Sequence, residues 1–198
     1  NYPRSEAEDA RKLQRFEIDA IYAPEVDQIY PEGFSTNVSV TGMTDVLCGA
    51  HRPGHFDGVA TVVCKLFNRF QPTFALFGKK DYQQLAVIRQ MVIDLNFSID
   101  IQSVKTARNA DGLALSSRNG FLTETQLKTA PRLYQSLQNA KRDILSGELS
   151  LQQVAKKYTD ILSAEGFEVD YFDIRDAYTL ESRVERSGDL IIAVAAKL

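Results

Sequence analysis

Apolar residues along the first half of the chain alternate between two spacings. Segments with an apolar residue every three or four positions predict amphipathic helices at about 5–16, at 55–69 and from 81 onward. Shorter apolar runs between them predict strands at 18–23, 73–77 and 98–106. In the third helix the expected apolar face comprises Leu85, Ile88, Val92 and Leu95. Strands that alternate with helices are typical of a parallel sheet covered by helices.

The pattern changes after residue 106. A loop is followed by two successive helical patterns at 124–145 and 151–164, and then by two strand patterns at 168–175 and 189–195. We therefore predict an α/β protein with two domains. Residues 1–106 form the parallel-sheet domain, and residues 107–198 form a smaller α+β domain.

Both ends of the chain lack elements that such a fold normally contains. The first residues predict a helix with no strand before it, Asn1 is not a methionine, and the last predicted strand is followed by no turn. We expect that an amino-terminal segment and a carboxyl-terminal strand are missing from this chain.

The composition limits the classes of partner. The chain has 198 residues, of which 44% are hydrophobic and 25% charged, and its formal net charge is -3. These values indicate a soluble globular protein and give no support for a nucleic-acid partner, which binds strongly basic surfaces. Cys48 and Cys64 lack a metal-ligand spacing and no signal peptide is recognisable, so we expect a cytoplasmic protein. The longest apolar run, 190–196, is far too short to cross a membrane.

The segment 77–90 contains the most informative junction. Gly78 follows a strand predicted to be buried, and Lys79 and Lys80 come just before the predicted helix. The carboxyl end of a parallel strand and the amino terminus of a helix both favour a bound phosphate. Alternatively, Asp81 and Gln84 have the spacing of a capping box, and the lysines are then merely solvated. The combination favours phosphate, although neither a Walker A nor a G-x-G-x-x-G pattern is present.

A second candidate anion-binding segment lies in the loop 108–122. Ser116, Ser117, Arg118 and Asn119 offer hydroxyl, guanidinium and amide groups between two glycines. The alternative is a surface loop that ends at a capping box over 123–126. Without the first junction, that alternative would be preferred.

Several blocks in order carry a family resemblance. They are YPRS from Tyr2, IDAIYAPEVDQIYPEG from Ile18, RPGHFDGVATVVCKLFN from Arg52, FGKKDYQQLAVIRQMV from Phe77 and DGLALSSRNGFL from Asp111. Across nearly its whole length the chain resembles the pantothenate synthetase (pantoate–β-alanine ligase) family of the nucleotidylyltransferase superfamily. The resemblance implies a Rossmann-like parallel sheet with helices, incomplete at the N-terminus, and a smaller α+β C-terminal domain that covers the site.

The resemblance also implies a reaction. ATP, accompanied by Mg²⁺, adenylates the carboxylate of pantoate and releases pyrophosphate, and the amine of β-alanine then displaces AMP to give pantothenate. The implied partners are therefore pantoate, β-alanine and ATP, with no nucleic acid and no membrane. A homodimer formed through the Rossmann-like domain is expected on the same basis.

Site residues are implied in the same way. Gly78, Lys79, Lys80 and Asp81 would bind the triphosphate, and Leu115, Ser116, Ser117 and Arg118 would form the second ATP-binding segment. Ala107 would meet the adenine through its backbone, and Gln84 would bind pantoate. Lys80, Ser116 and Arg118 are the expected catalytic residues of this chain, and no metal ligand from the protein is expected.

The chain departs from the family pattern in four places. The histidine signature that contains the family's proton donor, and a glutamine that binds pantoate and β-alanine, are absent, so we expect the fragment to be inactive alone. Lys79 and Cys48 replace residues that are commonly glutamate. Other nucleotidylyltransferase activity, and a non-catalytic nucleotide-binding role, remain alternatives.

The two histidines and the domain boundary complete the expectations. His51 and His55 are expected on a loop rather than as a metal-binding pair on a helix, because Pro53 and Gly54 intervene. His55 is expected on the pantoate side of the cleft, whereas Tyr2 and Arg52 are further candidates. If the second domain is a lid, its hinge is expected at 107–112.

Overall fold

The computed structural model describes residues 6–198, so Tyr2 lies outside the described residues. The helices are α1 Glu6–Leu13, α2 Val26–Ile29, α3 Cys48–His51, α4 His55–Phe70, α5 Tyr82–Asp94, α6 Glu124–Thr129, α7 Pro131–Ser146 and α8 Leu151–Ala164. The strands are β1 Phe74–Gly78, β2 Asp100–Val104, β3 Glu168–Asp176 and β4 Leu190–Lys197. None of the helices in this part of the chain is long and apolar enough to cross a membrane.

β1 and β2 form the predicted parallel pair, which confirms that part of the fold. Phe74 lies opposite Asp100 and Gly78 lies opposite Val104, with α5 connecting the two strands. The expectation that β1 is buried was wrong. Alternate residues pack against the core, whereas Phe74 and Leu76 on the other face are 55% and 60% exposed.

The strand predicted at 18–23 is not formed in the described structure. A strand is stable only when its backbone groups pair with a neighbouring strand, and this segment pairs with neither β1 nor β2. Its apolar residues make side-chain contacts instead. The ring of Tyr22 packs edge-on against Phe70 with a centroid distance of 5.0 Å, and the guanidinium of Arg69 lies over the same ring.

The helix predicted at 124–145 is interrupted. Its first part ends at Thr129, and a second helix begins at Pro131. Proline has no backbone N–H to donate to the fourth residue before it, so it fits the first position of a helix better than the interior. The sequence pattern was apolar on both sides of Pro131, and periodicity alone did not reveal the break.

Most other boundaries agree with the predictions to within a few residues. α8 has the predicted limits, α4 extends one residue further, and α1 ends at Leu13 rather than 16. Leu95 was wrongly assigned to the apolar face of α5, because it follows the helix and is 49% exposed.

Buried apolar side chains form two separate clusters. The first lies between α4, α5 and the β1–β2 pair and includes Phe67, Ile88 and Met91. The second lies between α7, α8 and the antiparallel pair β3–β4 and includes Leu162 and Phe172. The separate clusters are consistent with two domains, whose boundary at residue 107 stays a prediction.

Asp176 organises the connection between β3 and β4. Its Oδ1 accepts hydrogen bonds from the backbone N–H groups of Tyr178 and Thr179, each at 2.8 Å, and its Oδ2 accepts from the guanidinium of Arg183. The backbone donation by Thr179, followed by the contact with Arg183 and the donation by Tyr178, lowers the pKa of the carboxyl group.

This lowered pKa predicts an acid-sensitive contribution to stability. The carboxylate of Asp176 stabilises the native state fully above its unfolded pKa of about 3.9, and this stabilisation is lost as pH falls through the lower native pKa. We expect Asp176→Asn to have a smaller free energy of unfolding than wild type at neutral pH, and the difference to shrink in acid. Urea unfolding at several pH values measures this. Asp160→Asn, which removes an exposed carboxylate from α8, is the control and should show little difference.

Candidate functional site

The turn between β1 and α5 presents the first predicted site residues. β1 ends at Gly78, residues Lys79–Asp81 form a single 3-10 turn, and α5 begins at Tyr82. Lys80 Nζ lies 4.0 Å from Asp81 Oδ2, and the Lys80 side chain is 40% exposed. A Cβ atom at Gly78 would meet nothing within 4 Å, so there is room for a ligand over the strand end. The two lysines therefore provide positive charge at a helix amino terminus that is open to solvent.

The alternative interpretation of this turn, a capping box between Asp81 and Gln84, was wrong. Asp81 is the N-cap residue, but within the described structure its side chain makes no capping hydrogen bond. Capping does not account for these residues.

The second predicted segment follows β2. The N–H of Leu115 donates to the carbonyl oxygen of Ala107 at 2.9 Å, so these two predicted ATP contacts are adjacent. Ser116 Oγ accepts from the N–H of Arg118 at 3.2 Å and caps a 3-10 turn at Ser117–Phe121. The chain can therefore present Ser117 and Arg118 to solvent on a defined turn.

The capping box predicted after this loop is also formed. Gln126 Oε1 accepts from the N–H of Thr123 at 2.8 Å, and Thr123 Oγ1 accepts from the N–H of Gln126 at 3.3 Å. The box fixes the end of the loop, and residues 115–118 precede it. Capping explains only the end of the segment.

One charged group from each segment influences the pKa of His55. Burial lowers the pKa of His55 most, the guanidinium groups of Arg52 and Arg118 lower it further, and the carboxylate of Asp81 opposes them. Arg118 of the second segment and Asp81 of the first therefore act on one imidazole ring, because Coulomb interactions weaken with distance. His55 Nε2 lies 3.2 Å from Arg52 Nη1. Arginine can only donate, so Nε2 accepts and the neutral ring carries its proton on Nδ1.

His51 and His55 have different neighbours. His51 ends α3 and lies 5.9 Å from the ring of Tyr171, whereas His55 begins α4 beside Arg52. The expectation that both lie in a loop was wrong, although residues 52–54 between them are not helical. Among residues 6–198, no group of three or more His, Cys, Asp or Glu side chains is placed to hold a metal ion.

Two tyrosines bring the β3–β4 pair against this site. Tyr82 OH donates to the carbonyl oxygen of Ala177 at 2.9 Å, and Tyr171 OH lies 3.0 Å from Cys48 Sγ. Burial, followed by the hydrogen bond with Cys48, raises the pKa of Tyr171 far above its ordinary value. The phenol therefore stays protonated at neutral pH. These contacts place the C-terminal strands next to the Lys79–Asp81 turn.

Comparison with known proteins identifies the family. The family model described as pantoate-beta-alanine ligase matches residues 1–198. The chain belongs to this ligase family. Curated relatives named pantothenate synthetase include one from Roseobacter denitrificans, 53% identical over 183 residues, which cover 91% of this chain and 63% of the relative. Another, from Pseudomonas fluorescens, is 49% identical over 199 residues, which cover 100% of this chain and 70% of the relative.

Solved ligase structures agree with the fold. Pantothenate synthetase from Thermus thermophilus matches with a TM-score of 0.92 at 43% identity, covering 100% of this chain and 72% of that chain. Pantoate-beta-alanine ligase from Francisella tularensis, complexed with beta-gamma ATP and beta-alanine, matches with a TM-score of 0.75 at 31% identity. The match covers 87% of this chain and 62% of that chain. These matches confirm the predicted α/β fold class.

Sequence reasoning missed two side chains next to the predicted site residues. Gln83 is 7% exposed and bonds to three backbone groups in residues 43–48. Arg108 stacks on the ring of Tyr134, with its Cζ 3.7 Å from the ring centroid, and donates to the carbonyl oxygen of Gly112 at 3.1 Å. Gln83 lies next to Gln84 at a polar helix start, so the sequence carried no signal that its side chain is buried.

Gly112 is expected to be sensitive to substitution. Its φ is +94°, and a Cβ atom there would lie 3.0 Å from Tyr134 Cδ1. Gly112→Ala should lower the free energy of unfolding by about 1–2 kcal/mol, the cost of placing a residue with a Cβ atom in the left-handed backbone conformation. It should also disturb the stacking of Arg108 on Tyr134. Gly120→Ala in the same loop, where a Cβ atom has open space, is the matched control. Urea denaturation of both variants measures the difference, and equal losses would contradict this assignment.

Proposed function

We propose that the full protein containing this chain condenses pantoate with β-alanine through a pantoyl-adenylate intermediate, releasing AMP and pyrophosphate. The observation that supports this most is that charged residues of both candidate anion-binding segments, Asp81 and Arg118, influence the pKa of His55 in a member of this ligase family. The chain spans 63% to 70% of the length of the relatives described above, so the reaction is proposed for the full-length protein.

In this proposal the two segments divide the contacts with ATP. The triphosphate lies against Gly78, Lys79, Lys80 and Asp81, at the end of β1 and the start of α5. The remaining contacts are made by Leu115, Ser116, Ser117 and Arg118, and by the backbone of Ala107. Gln84, in the first turn of α5, binds pantoate.

Magnesium is proposed to accompany ATP. The described residues offer cationic and hydrogen-bonding groups for phosphates rather than a cluster of carboxylates, which fits a metal ion held mainly by the phosphate oxygens. There it would neutralise phosphate charge.

The chemistry needs positive charge where the leaving group departs. A carboxylate oxygen of pantoate attacks the α-phosphorus, and the bond from this phosphorus to the bridging oxygen breaks. Lys80 and Arg118 stabilise the charge of the departing pyrophosphate, and Ser116 fixes the turn that presents Arg118. The β-alanine amine then attacks the acyl carbon, loses a proton and displaces AMP. Lys79, in place of the common glutamate, adds a further positive charge.

The second domain is proposed to close over this site as a lid. Arg108 stacks on Tyr134 of α7, so residues 108–112 are attached to the second domain. We therefore place the hinge before Arg108, at the amino-terminal edge of the segment 107–112. Family likeness also supports a cytoplasmic homodimer formed through the first domain.

Pyrophosphate exchange tests the proposed function. The full-length gene product is mixed with ATP, labelled pyrophosphate and Mg²⁺, with and without pantoate. We expect label to enter ATP only when pantoate is present, and without any need for β-alanine. Exchange without pantoate, or no exchange by folded protein that binds ATP, would favour another nucleotidylyltransferase or a non-catalytic binding protein.

Lys80→Ala should slow formation of the adenylate about 10²- to 10³-fold, the usual cost of losing one preorganised electrostatic contact. Single-turnover formation of pantoyl adenylate measures this step. Lys156→Ala removes the same charge from an exposed position on α8 and should leave the rate unchanged. An unchanged rate in the Lys80 variant would exclude the proposed role.

A further inference from the structure

The side-chain amide of Gln83 is buried, and both its nitrogen and its oxygen form hydrogen bonds. Its Nε2 donates to the carbonyl oxygens of Met43 and Val46, each at 2.7 Å, and its Oε1 accepts from the N–H of Cys48 at 3.0 Å. A glutamine amide has two N–H donors, and both are used here. One side chain of α5 therefore holds residues 43–48 at three points.

The backbone of this held segment depends on such an external partner. Leu47 is the N-cap residue of α3 and has a positive φ of 50°. Cys48 is the first residue of α3, so its N–H has no acceptor within the helix and needs one from elsewhere in the chain. Gln83 supplies it. The turn is also tight, since a Cβ atom at Gly49 would lie 1.7 Å from the oxygen of Thr44.

The held segment leads directly to charged groups of the site. After α3 the chain reaches Arg52 and His55, which contact each other and lie within electrostatic reach of Arg118 and Asp81. Gln83 itself lies between Asp81 and Gln84 in the sequence. Its three hydrogen bonds therefore link the segment that precedes the Arg52–His55 pair to the helix that follows the Lys79–Asp81 turn.

We propose that Gln83 is a positioning residue that holds residues 43–48, and through them Arg52 and His55, against the place where the pantoate carboxylate is activated. The proposal rests on the function proposed above. The groups assigned to ATP lie on the Lys79–Asp81 turn and on residues 115–118, which Gln83 does not hold. Loss of Gln83 should therefore weaken the use of pantoate far more than the use of ATP.

Steady-state pyrophosphate exchange by the full-length protein tests this separation. For Gln83→Leu we expect the KM for pantoate to rise about 10- to 100-fold, within the loss that a misplacement of about 1 Å can cause, with the KM for ATP unchanged. Thr61→Val is the matched control. Thr61 is also buried, and its hydroxyl links α4 to Asn37 and to the N–H of Val38, outside residues 43–48. At a temperature where every variant is folded, Thr61→Val should not raise the KM for pantoate relative to the KM for ATP.

Gln83→Glu gives a signature that a general loss of stability would not produce. Its carboxylate can accept from Cys48 but faces the oxygens of Met43 and Val46 without a donor, whereas the protonated acid regains one donor. Burial raises the pKa of such a carboxyl group. Relative to wild type, the KM of Gln83→Glu for pantoate should therefore improve as the pH is lowered from about 8 to about 6, whereas that of Gln83→Leu should not.

Amide hydrogen exchange separates this proposal from the proposed function. The Cys48 amide should exchange faster in Gln83→Leu than in wild type and Thr61→Val, whether or not the protein forms an adenylate. If wild type shows no pantoate-dependent exchange of pyrophosphate, the proposed function fails and the positioning role with it, even where Cys48 loses protection. If wild type is active, two results for Gln83→Leu would overturn the positioning role alone. One is an equal change in the KM values for pantoate and ATP. The other is an unchanged KM for pantoate although the Cys48 amide exchanges its hydrogen faster.

Discussion

The burial of α5 against the β1–β2 pair is the constraint on which the site depends. Val87, Ile88 and Met91 are almost completely buried in the first cluster, and each contributes about 1.5–3 kcal/mol relative to an exposed side chain. The helix therefore cannot slide or rotate without exposing a large apolar area. Its amino terminus is fixed at the end of β1, where Lys79–Asp81 form the turn. The positive charges of the candidate site thus lie at the end of a helix that is held by its buried side chains.

Successive residues at the start of this helix reach in different directions. Tyr82 donates to Ala177 in the connection between β3 and β4, whereas Gln83 bonds to residues 43–48. Consecutive side chains on a helix point about 100° apart, as expected from 3.6 residues per turn. One rigid element can therefore position a preceding loop and a following pair of strands around the same cleft. Gln84, next along, is the residue proposed to bind pantoate.

Local features of the fold could be predicted from the sequence because they are encoded in neighbouring residues. The limits of α8 and the positions of α4, β1 and α5 follow from apolar spacing and helix-capping residues. The strand predicted at 18–23 failed because strand formation depends on a distant partner, which periodicity does not reveal. The helix break at Pro131 was visible in the sequence, but the apolar pattern on both sides outweighed it.

The same difference between local and long-range contacts explains which residues of the candidate site could be predicted. The Lys79–Asp81 turn and residues 115–118 could be predicted as candidates because each carries its donors within a few positions. The contacts of Gln83 join residues 35 to 40 positions apart, and Tyr171 meets Cys48 across 123 positions. Such contacts depend on how the elements pack, so one sequence without the structure does not specify them.

The charge distribution around His55 favours an anionic ligand. Arg52 and Arg118 disfavour protonation of the ring, as does its burial, so the imidazole is neutral above its lowered pKa. Protonation would add a third positive charge beside two guanidinium groups and would destabilise the native state as pH falls below the unfolded pKa of about 6.5. A ligand with negative charge reverses this balance, because it attracts both guanidinium groups and would raise the pKa of the ring. A carboxylate or phosphate bound next to His55 would therefore favour proton uptake by the ring.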